Sequence, residues 1–363
     1  MISYIYPFRN RDLKRIKRSL DSLVLQDDTD FEVIFVDTGS NFDLATQVKA
    51  LVTSYTFVRY IYTYTEGTPW NKSNALNIGI KQATTPYIIT ADIDMIFHSR
   101  FNNLAKSLAQ PKQATFFKVA YLSENETYTT PHFKPESYSN HRGTGICLYP
   151  KTEAETLRGF DEFYHCWGGE DEDFVTRLEL NGCKVSFHEE LDLIFHQYHT
   201  PYKAQDDQVL TQDLKYQFVR YYNDAKRKHT LKTQQTVVNT SGDWGGRVSE
   251  ATYKALRNIP ITRTLTSFRP EIDFFLNYEL AALPSGNYGF KFTPLAEPSR
   301  KISLKYILYR IVRLKFKDEK IRRNYTLKAM NDCILKTIIY RDIPYHYQVN
   351  TNAQHLELRI HKA

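Results

Sequence analysis

The first 120 residues of the chain alternate short apolar runs with segments of helical periodicity. Apolar runs lie at residues 2–6, 32–36, 57–62 and 87–91, and their length and β-branched or aromatic content are typical of buried strands. The segments between them carry apolar residues at helical spacing, and Asp12 is in position to cap the first helix. Strands that alternate with helices indicate βαβ units, so the sequence predicts an α/β fold with a mostly parallel sheet.

Clusters that contain polar residues follow three of the predicted strands. They are Pro7, Arg9 and Asn10 after the first strand, Asp37 after the second, and Asp92 and Asp94 after the fourth. In open α/β sheets, ligands bind beyond the carboxyl ends of the strands. We therefore expect these residues to contribute to one shared site.

The pair Asp92 and Asp94 predicts a cation site. Unpaired buried charge is costly, and a divalent cation such as Mg²⁺ or Mn²⁺ offsets that cost through oxygen ligands and substrate phosphates. Residues i and i+2 of an extended strand share a face, so both carboxylates are expected to point into one pocket. A solvated turn at the strand end is the alternative interpretation.

A second acidic cluster follows a tryptophan and two glycines. Trp167 offers a platform for a sugar ring, and Gly168 and Gly169 allow the backbone to approach a substrate closely. Glu170 and Asp171 open a helix predicted over residues 170–180, where the helix dipole stabilises negative charge. An aspartate beside the tryptophan can accept a proton from a hydroxyl group. An acid-rich helix start with no catalytic role is the alternative.

Two further groups complete the candidate residues. His196 and His199 can ligate Mn²⁺ in a mixed nitrogen and oxygen site; we expect one of them to do so, and a structural role is the alternative. Lys72 and the nearby Asn74 lie at the start of a predicted helix, where a diphosphate can be bound. The alternative is a surface lysine on a helix capped by Ser73.

Charge and hydropathy narrow the class of protein. The net charge of +7 is mild and no nucleic-acid-binding motif is present, so we expect no nucleic-acid partner. The chain has no apolar run of about 18 residues and no signal pattern at its start, which predicts a soluble, cytoplasmic protein. Residues 301–317 have a basic amphipathic pattern, which indicates either a packed helix with a solvated face or a peripheral contact with the inner face of a membrane.

In this order, the motifs resemble those of the family 2 nucleotide-sugar glycosyltransferases, which have the GT-A fold. Residues 7–11 resemble the opening nucleotide-binding segment, and residues 92–94 the acidic metal-binding motif. Residues 167–173 resemble the acceptor and base motif of the β-1,4-galactosyltransferase and chondroitin-polymerase type. The resemblance implies a Rossmann-like catalytic domain over residues 1–204, with helices on both faces of its sheet. Residues 205–363 are expected to form a mainly helical, basic region of unknown role.

The resemblance also implies roles for the candidate residues. The expected donor-binding residues are Pro7, Arg9, Asn10, Asp37 (on the uracil or ribose), Lys72, Asn74 and Asp92. The expected ligands of Mn²⁺ or Mg²⁺ are Asp94, Asp92, His196 and His199. The expected catalytic and substrate-binding residues are Asp171 as the base, Glu170 on a sugar, and Trp167, Gly168 and Gly169 on the acceptor.

The implied activity is an inverting transfer of a hexose or N-acetylhexosamine from a UDP-sugar. The acceptor would be a hydroxyl of a glycan or lipid-linked oligosaccharide, in the synthesis of a bacterial surface polysaccharide. Two other functions stay open: a non-catalytic glycan-binding or scaffold protein on the same fold, and a sugar nucleotidyltransferase. The latter is disfavoured because such enzymes carry a glycine-rich loop after the first strand, and residues 7–11 contain no glycine.

Overall fold

A computed structural model describes residues 1–128, 133–140, 145–200, 210–295, 324–340, 345–352 and 354–362. The chain divides into two compact units. The first comprises Met1–Asp206 and Gln212–Lys254, and the second Asp207–Thr211 and Ala255–Ala363. The first unit thus includes residues 212–254, which the predicted boundary at residue 204 had left to the second domain. The basic helix predicted over residues 301–317 lies outside the described residues.

Two sheets form the framework of the first unit. The strands described there are β1 Ile2–Phe8, β2 Phe31–Thr38, β3 Val58–Thr63, β4 Tyr87–Thr90, β5 Met95–Phe97, β6 Gln113–Phe117, β7 Ala120–Tyr121, β8 Ser137–Tyr138, β9 Cys147–Pro150, β10 Lys184–His188 and β11 Ile194–His196. The larger sheet has the order β10-β6-β9-β4-β1-β2-β3, and the smaller one β5-β11-β7-β8. Among the described strands of the larger sheet, β9 alone runs antiparallel to its neighbours.

Helices cover both faces of the larger sheet. They are α1 Leu13–Val24, α2 Phe42–Val52, α3 Lys72–Gln82, α4 Phe101–Leu108, α5 Lys151–Leu157 and α6 Glu170–Leu180. A further helix, α7 Val219–Thr233, continues a π-helical segment Asp213–Phe218 and packs against α6. Tyr4 and Tyr6 of β1 pack in one core cluster with α1, α2 and α4. Ile5, between them, packs in a second cluster with α3, α5 and α6. The predicted α/β fold with a mostly parallel sheet is therefore confirmed, and burial on both faces explains the continuous apolar runs.

β1 continues through Pro7, where the sequence had predicted its end. Pro7 lies opposite Val36 of β2, but on the other side β4 pairs with β1 only as far as Ile5. Proline has no N–H group to donate, so it is tolerated where a neighbouring strand has already ended. The strand consequently reaches Phe8 and carries Arg9 to the carboxyl edge of the sheet.

The second unit contains helices, and it also contains a sheet, which the sequence had not predicted. Its described strands are β12 Arg263–Thr266, β13 Gly286–Thr293, β14 Tyr345–Thr351 and β15 Leu356–Lys362, in the order β12-β13-β15-β14. α8 Glu250–Arg257 spans the boundary between the units, and α9 Arg269–Phe274, α10 Leu280–Ala282 and α11 Leu327–Tyr340 follow, with a π-helical segment Phe275–Glu279 before α10. These helices agree with the predicted helical content. The strand signal in β15 is the alternation of buried Leu356, Leu358 and Ile360 with less buried residues. None of the helices in the described ranges is long and apolar enough to cross a membrane.

Candidate functional site

The turn after β4 separates the two aspartates that were expected to share a pocket. The Met95 N–H donates to the Asp92 carbonyl at 3.3 Å, which closes a turn immediately after the strand. Because this segment is not extended, side chains at i and i+2 do not share a face. The carboxylate of Asp92 lies against the start of α3, whereas that of Asp94 lies against the end of β11. The two carboxylates thus contact different side chains, although burial and then both of their charges raise the pKa of Tyr121, and the prediction that they share one pocket stays a prediction.

Asp94, His196 and His199 form a cluster that we call the Asp94 site. Nε2 of His199 lies 3.2 Å from Oδ2 of Asp94, and Nε2 of His196 lies 3.7 Å from Oδ1. One potential ligand atom from each residue lies within 4.8 Å of the others. Asp94 is buried, and its Oδ1 has no hydrogen-bond partner among the described residues. A buried, unsatisfied carboxylate oxygen that faces two imidazoles fits a bound cation, with both histidines in reach.

The electrostatics of the Asp94 site keep its carboxylate ionised. Burial alone would raise the pKa of Asp94, but His196, His199 and the charge of Arg15 outweigh it and lower that pKa. The hydrogen bond with Asp94 in turn raises the pKa of His199. Imidazoles must be neutral to bind a metal, so binding would release protons. One carboxylate with two imidazole nitrogens suits a transition-metal ion, Mn²⁺ among them, better than Mg²⁺, which prefers oxygen ligands.

Lys72, Asp92, Glu170 and Asp171 form a second cluster, which we call the Lys72 cluster. Nζ of Lys72 lies 3.2 Å from Oδ1 of Asp92, 3.5 Å from Oε1 of Glu170 and 3.4 Å from Oδ2 of Asp171. The ammonium group therefore forms ion pairs with three carboxylates at once. Although burial opposes its charge, Asp171, Asp92 and Glu170 raise the pKa of Lys72, which stays protonated.

The proton affinity of Asp171 is unusually high for an aspartate. Burial is the largest cause; Lys72 lowers the pKa of Asp171, Glu170 and Asp92 raise it again, and the result is a pKa of about 7. A general base works best when its pKa lies near the operating pH. Perturbed carboxylates of this kind are concentrated at functional sites. Asp171 is thus the carboxylate in the Lys72 cluster best suited to move a proton.

Asn71, rather than the predicted Ser73, caps α3. Oδ1 of Asn71 accepts a hydrogen bond from the Asn74 N–H at 2.8 Å, and its Nδ2 donates to the Glu162 carbonyl at 2.8 Å. The cap places Lys72 at the first position of the helix, where the dipole disfavours a cation. The carboxylates, and not the helix, therefore stabilise the charge of Lys72. Its reach to a diphosphate stays a prediction.

Gly145 occupies the space between the carboxylates and was not identified from the sequence. Its φ is +66°, and a Cβ atom there would lie 3.1 Å from Oδ2 of Asp92 and 3.4 Å from both Oδ2 of Asp171 and Nζ of Lys72. A side chain at this position would press on the Lys72 cluster. Glycine therefore both permits the left-handed backbone and keeps the cluster open.

The loop before α6 is held by α7. Gly168 and Gly169 have φ values of +89° and +96°, in the left-handed region that favours glycine. Nδ2 of Asn223 donates to the carbonyls of Trp167 and Gly168 at 3.4 and 2.5 Å. The Trp167 side chain is 56% exposed, so the loop presents it to solvent. Its stacking on an acceptor sugar stays a prediction.

A buried ion pair fixes α6 beneath the Lys72 cluster. Nε of Arg177 lies 2.7 Å from Oδ2 of Asp173, and neither side chain is exposed. Thr230 of α7 donates to the other oxygen of Asp173 at 2.9 Å, and Arg177 donates to the Gly159 carbonyl at 2.9 Å. The sequence analysis missed this network. The spacing of four residues between Asp173 and Arg177 is the signal that could have identified it.

Asp37 lies inside the protein, below the edge where a nucleotide was predicted. Its two oxygens accept hydrogen bonds from the Ser40 N–H and the Tyr60 hydroxyl, each at 3.0 Å, and the residue is fully buried. Burial raises the pKa of Asp37 in spite of these bonds. Asp37 therefore holds the turn after β2, and its contact with a uracil or ribose stays a prediction.

The other predicted donor-binding residues lie around the same turns. Arg9 donates to the carbonyls of Thr68 and Thr65 at 2.7 and 3.2 Å, which links the end of β1 to the loop after β3. The Asn10 N–H donates to Oγ of Ser40 at 2.9 Å. The buried Pro7 lies within β1, and Nδ2 of Asn74 donates to the Gly246 carbonyl at 3.3 Å. None of them belongs to either cluster.

Comparison with known proteins matches residues 3–168 to the model of glycosyl transferase family 2. That match includes Lys72, Asp92 and Asp94. It ends before α6, so it does not extend to Asp171 or to the two histidines. The evidence for these later residues is therefore the geometry described above.

The relatives and solved structures are distant. Human beta-1,4-galactosyltransferase 1 is 26% identical over 131 residues, which are 35% of this chain and 30% of that protein. Human chondroitin sulfate N-acetylgalactosaminyltransferase 2 is 23% identical over 171 residues, which are 42% of this chain and 31% of that protein. The chain thus matches about a third of the length of each of these two relatives. The structure of S. aureus TarS residues 1–349 is similar with a TM-score of 0.45 and 18% identity, and covers 62% of this chain and 64% of that one.

Proposed function

We propose that the protein, whose residues 3–168 match the model of glycosyl transferase family 2, is a metal-dependent, inverting glycosyltransferase. It transfers a hexose or N-acetylhexosamine from a UDP-sugar to a hydroxyl of a glycan or lipid-linked oligosaccharide. The proposal extends to a cytoplasmic enzyme of bacterial surface polysaccharide synthesis, with a peripheral contact on the inner face of the membrane.

The observation that carries the proposal is the junction between the two clusters. Asp92 and Asp94 are two residues apart, and the turn between them directs one carboxylate to the Lys72 cluster and the other to the Asp94 site. A diphosphate bound at the Asp94 site would therefore hold its sugar close to Asp171. The reaction requires that the anomeric carbon lie between the departing diphosphate and the base, which acts on the acceptor hydroxyl at the opposite face.

In the proposed reaction, the oxygen of the acceptor hydroxyl forms a bond with the anomeric carbon on the face opposite the diphosphate. The bond from that carbon to the phosphate oxygen breaks, and the hydroxyl proton passes to the carboxylate of Asp171. Lys72 holds Oδ2 of Asp171 at 3.4 Å and so orients the carboxylate. A divalent cation held by Asp94, His196 and His199 would neutralise charge on the departing UDP.

A panel of nucleotide sugars tests the proposed function. We expect UDP-sugars to raise the melting temperature in the presence of Mn²⁺ and to have little effect without it. Free ligand at about 100 times its Kd stabilises a folded protein by about 2.7 kcal/mol. GDP-mannose serves as the control for recognition of the uracil ring. Hydrolysis of the stabilising donor serves as the readout of chemistry. No stabilisation and no hydrolysis with any donor would refute the proposal.

The variant Gly145→Ala should reduce transfer by about tenfold or more, because the new methyl group displaces the carboxylates of the Lys72 cluster. Left-handed backbone is also costly for alanine, by about 1–2 kcal/mol. The matched control is Gly182→Ala, which has a φ of +78° and no atom within 4 Å of the new Cβ. Steady-state kinetics and thermal melts of both variants separate the two effects. Equal activity in the two variants would remove Gly145 from the site.

A further inference from the structure

The two histidines of the Asp94 site stand at the end of a strand and just beyond it. His196 is the last residue of β11, whereas His199 lies in a segment without regular secondary structure. Their Nε2 atoms nevertheless approach the same carboxylate, at 3.7 and 3.2 Å. Some contact beyond the end of β11 must therefore hold the chain between them.

Gln197 supplies that contact and is fully buried. Its N–H donates to the Asp94 carbonyl at 3.0 Å. This bond joins the segment that carries the two histidines directly to the segment that carries Asp94. Its side chain turns to α1: Nε2 donates to the Arg15 carbonyl at 3.1 Å, and Oε1 accepts from Nη1 of Arg18 at 3.4 Å. Both ends of the amide are thus satisfied by one helix.

The partner of Gln197 on α1 is itself fixed. The guanidinium of Arg18 stacks on the ring of Tyr128, 3.8 Å from its centroid. The Tyr128 hydroxyl accepts a hydrogen bond from the Tyr198 N–H at 3.3 Å. The two residues between the histidines are therefore anchored separately, Gln197 to α1 and Tyr198 to Tyr128.

We infer that Gln197 is a positioning residue that sets both imidazoles toward the carboxylate of Asp94 and so determines how tightly the site binds Mn²⁺. The inference rests on the proposed function, because it requires that the Asp94 site takes a cation. Gln197 does not ligate the cation, since its amide is directed to α1. Groups that orient metal ligands commonly change metal affinity by about 10–100-fold when they are removed.

The test is the Mn²⁺ affinity of the full-length Gln197→Leu variant, which keeps much of the side-chain volume and removes the amide. We expect Kd for Mn²⁺, measured from the electron paramagnetic resonance signal of free Mn²⁺, to rise by about 10–100-fold. The spectrum of the bound ion should also change, because the ligand geometry changes.

The matched control is Gln26→Leu. Gln26 is also buried, and its Nε2 donates to the carbonyls of Ser22 and His98 at 3.1 and 2.9 Å, away from the Asp94 site. This variant should lose thermal stability without a change in Mn²⁺ affinity. A loss of Mn²⁺ affinity equal to that of Gln197→Leu would show a general packing effect and overturn the inference.

The outcomes separate the inference from the proposed function. If the parent protein binds Mn²⁺ and Gln197→Leu binds it equally well, the role of Gln197 is refuted while the proposed function stands. If the parent itself does not bind Mn²⁺, both are refuted. Should Gln197→Leu fail to fold, Arg18→Met removes the contact from a partly exposed position; an unchanged Kd for Mn²⁺ would then refute the inference, and a several-fold increase would support it.

Discussion

Replacement of Asp171 by asparagine should lower the rate of sugar transfer by about 10³-fold, within the range that general bases contribute. Asparagine keeps the shape of the side chain but cannot take the proton of the acceptor hydroxyl. Binding of UDP with Mn²⁺ should be nearly unchanged, because Asp171 belongs to the Lys72 cluster and not to the Asp94 site. Single-turnover kinetics and calorimetry with UDP measure the two quantities separately.

The pH dependence gives this prediction a second readout. Burial raises the pKa of Asp171, Lys72 lowers it, and Glu170 and Asp92 raise it again to about 7. Because the base must be deprotonated, the rate of the parent enzyme should increase as pH rises through about 7 and level off above it. The residual rate of Asp171→Asn should lack this step.

The matched control for Asp171→Asn is Glu172→Gln on the same turn of α6. Glu172 is exposed and lies 3.2 Å from Arg227, outside the Lys72 cluster. Its replacement should leave both the rate and the pH profile unchanged. Near-parental turnover by Asp171→Asn would exclude Asp171 as the base.

Replacement of Asp94 by asparagine should raise the Kd for UDP in the presence of Mn²⁺ by about 100-fold or more, because most of the Mn²⁺-dependent affinity is lost. The variant removes the negative charge that faces both imidazoles, and it leaves a buried amide where an ionised carboxylate stood. Calorimetric titration of UDP with and without Mn²⁺ measures the difference. Weak binding that no longer depends on Mn²⁺ is the expected result.

Asp192→Asn is the control for the Asp94 variant. Asp192 precedes β11, is exposed, and has a φ of +60° that asparagine tolerates well. Its hydrogen bond with the Tyr138 hydroxyl lies away from the Asp94 site. Parental Mn²⁺ dependence in both variants would mean that the cation binds elsewhere.

The local patterns of the sequence were sufficient for much of the fold. The helix predicted over residues 170–180 is α6 with the same bounds, and Asp12 caps α1 by accepting a hydrogen bond from the Arg15 N–H. These features depend on residues close in the chain, such as caps and periodic apolar positions. Continuous apolar runs likewise identified the parallel strands, because both faces of the sheet are buried.

The candidate site depended on contacts that no local pattern contains. The Lys72 cluster joins α3 to the start of α6 across about a hundred residues of chain, and only the fold brings them together. The divergence of Asp92 and Asp94 follows from the turn that the chain makes after β4, which the tripeptide alone does not specify. Asp37 was predicted at a strand end, and the hydroxyl of Tyr60 on the neighbouring β3 donates a hydrogen bond to its carboxylate. Long-range packing decided each of these cases.

A crystal of the protein soaked with Mn²⁺ and UDP tests the central claim most directly. Data collected at the manganese absorption edge should show one anomalous peak in coordination contact with Asp94, His196 and His199, with the diphosphate on its open side. A manganese peak placed elsewhere, or UDP bound with no metal beside Asp94, would contradict the account.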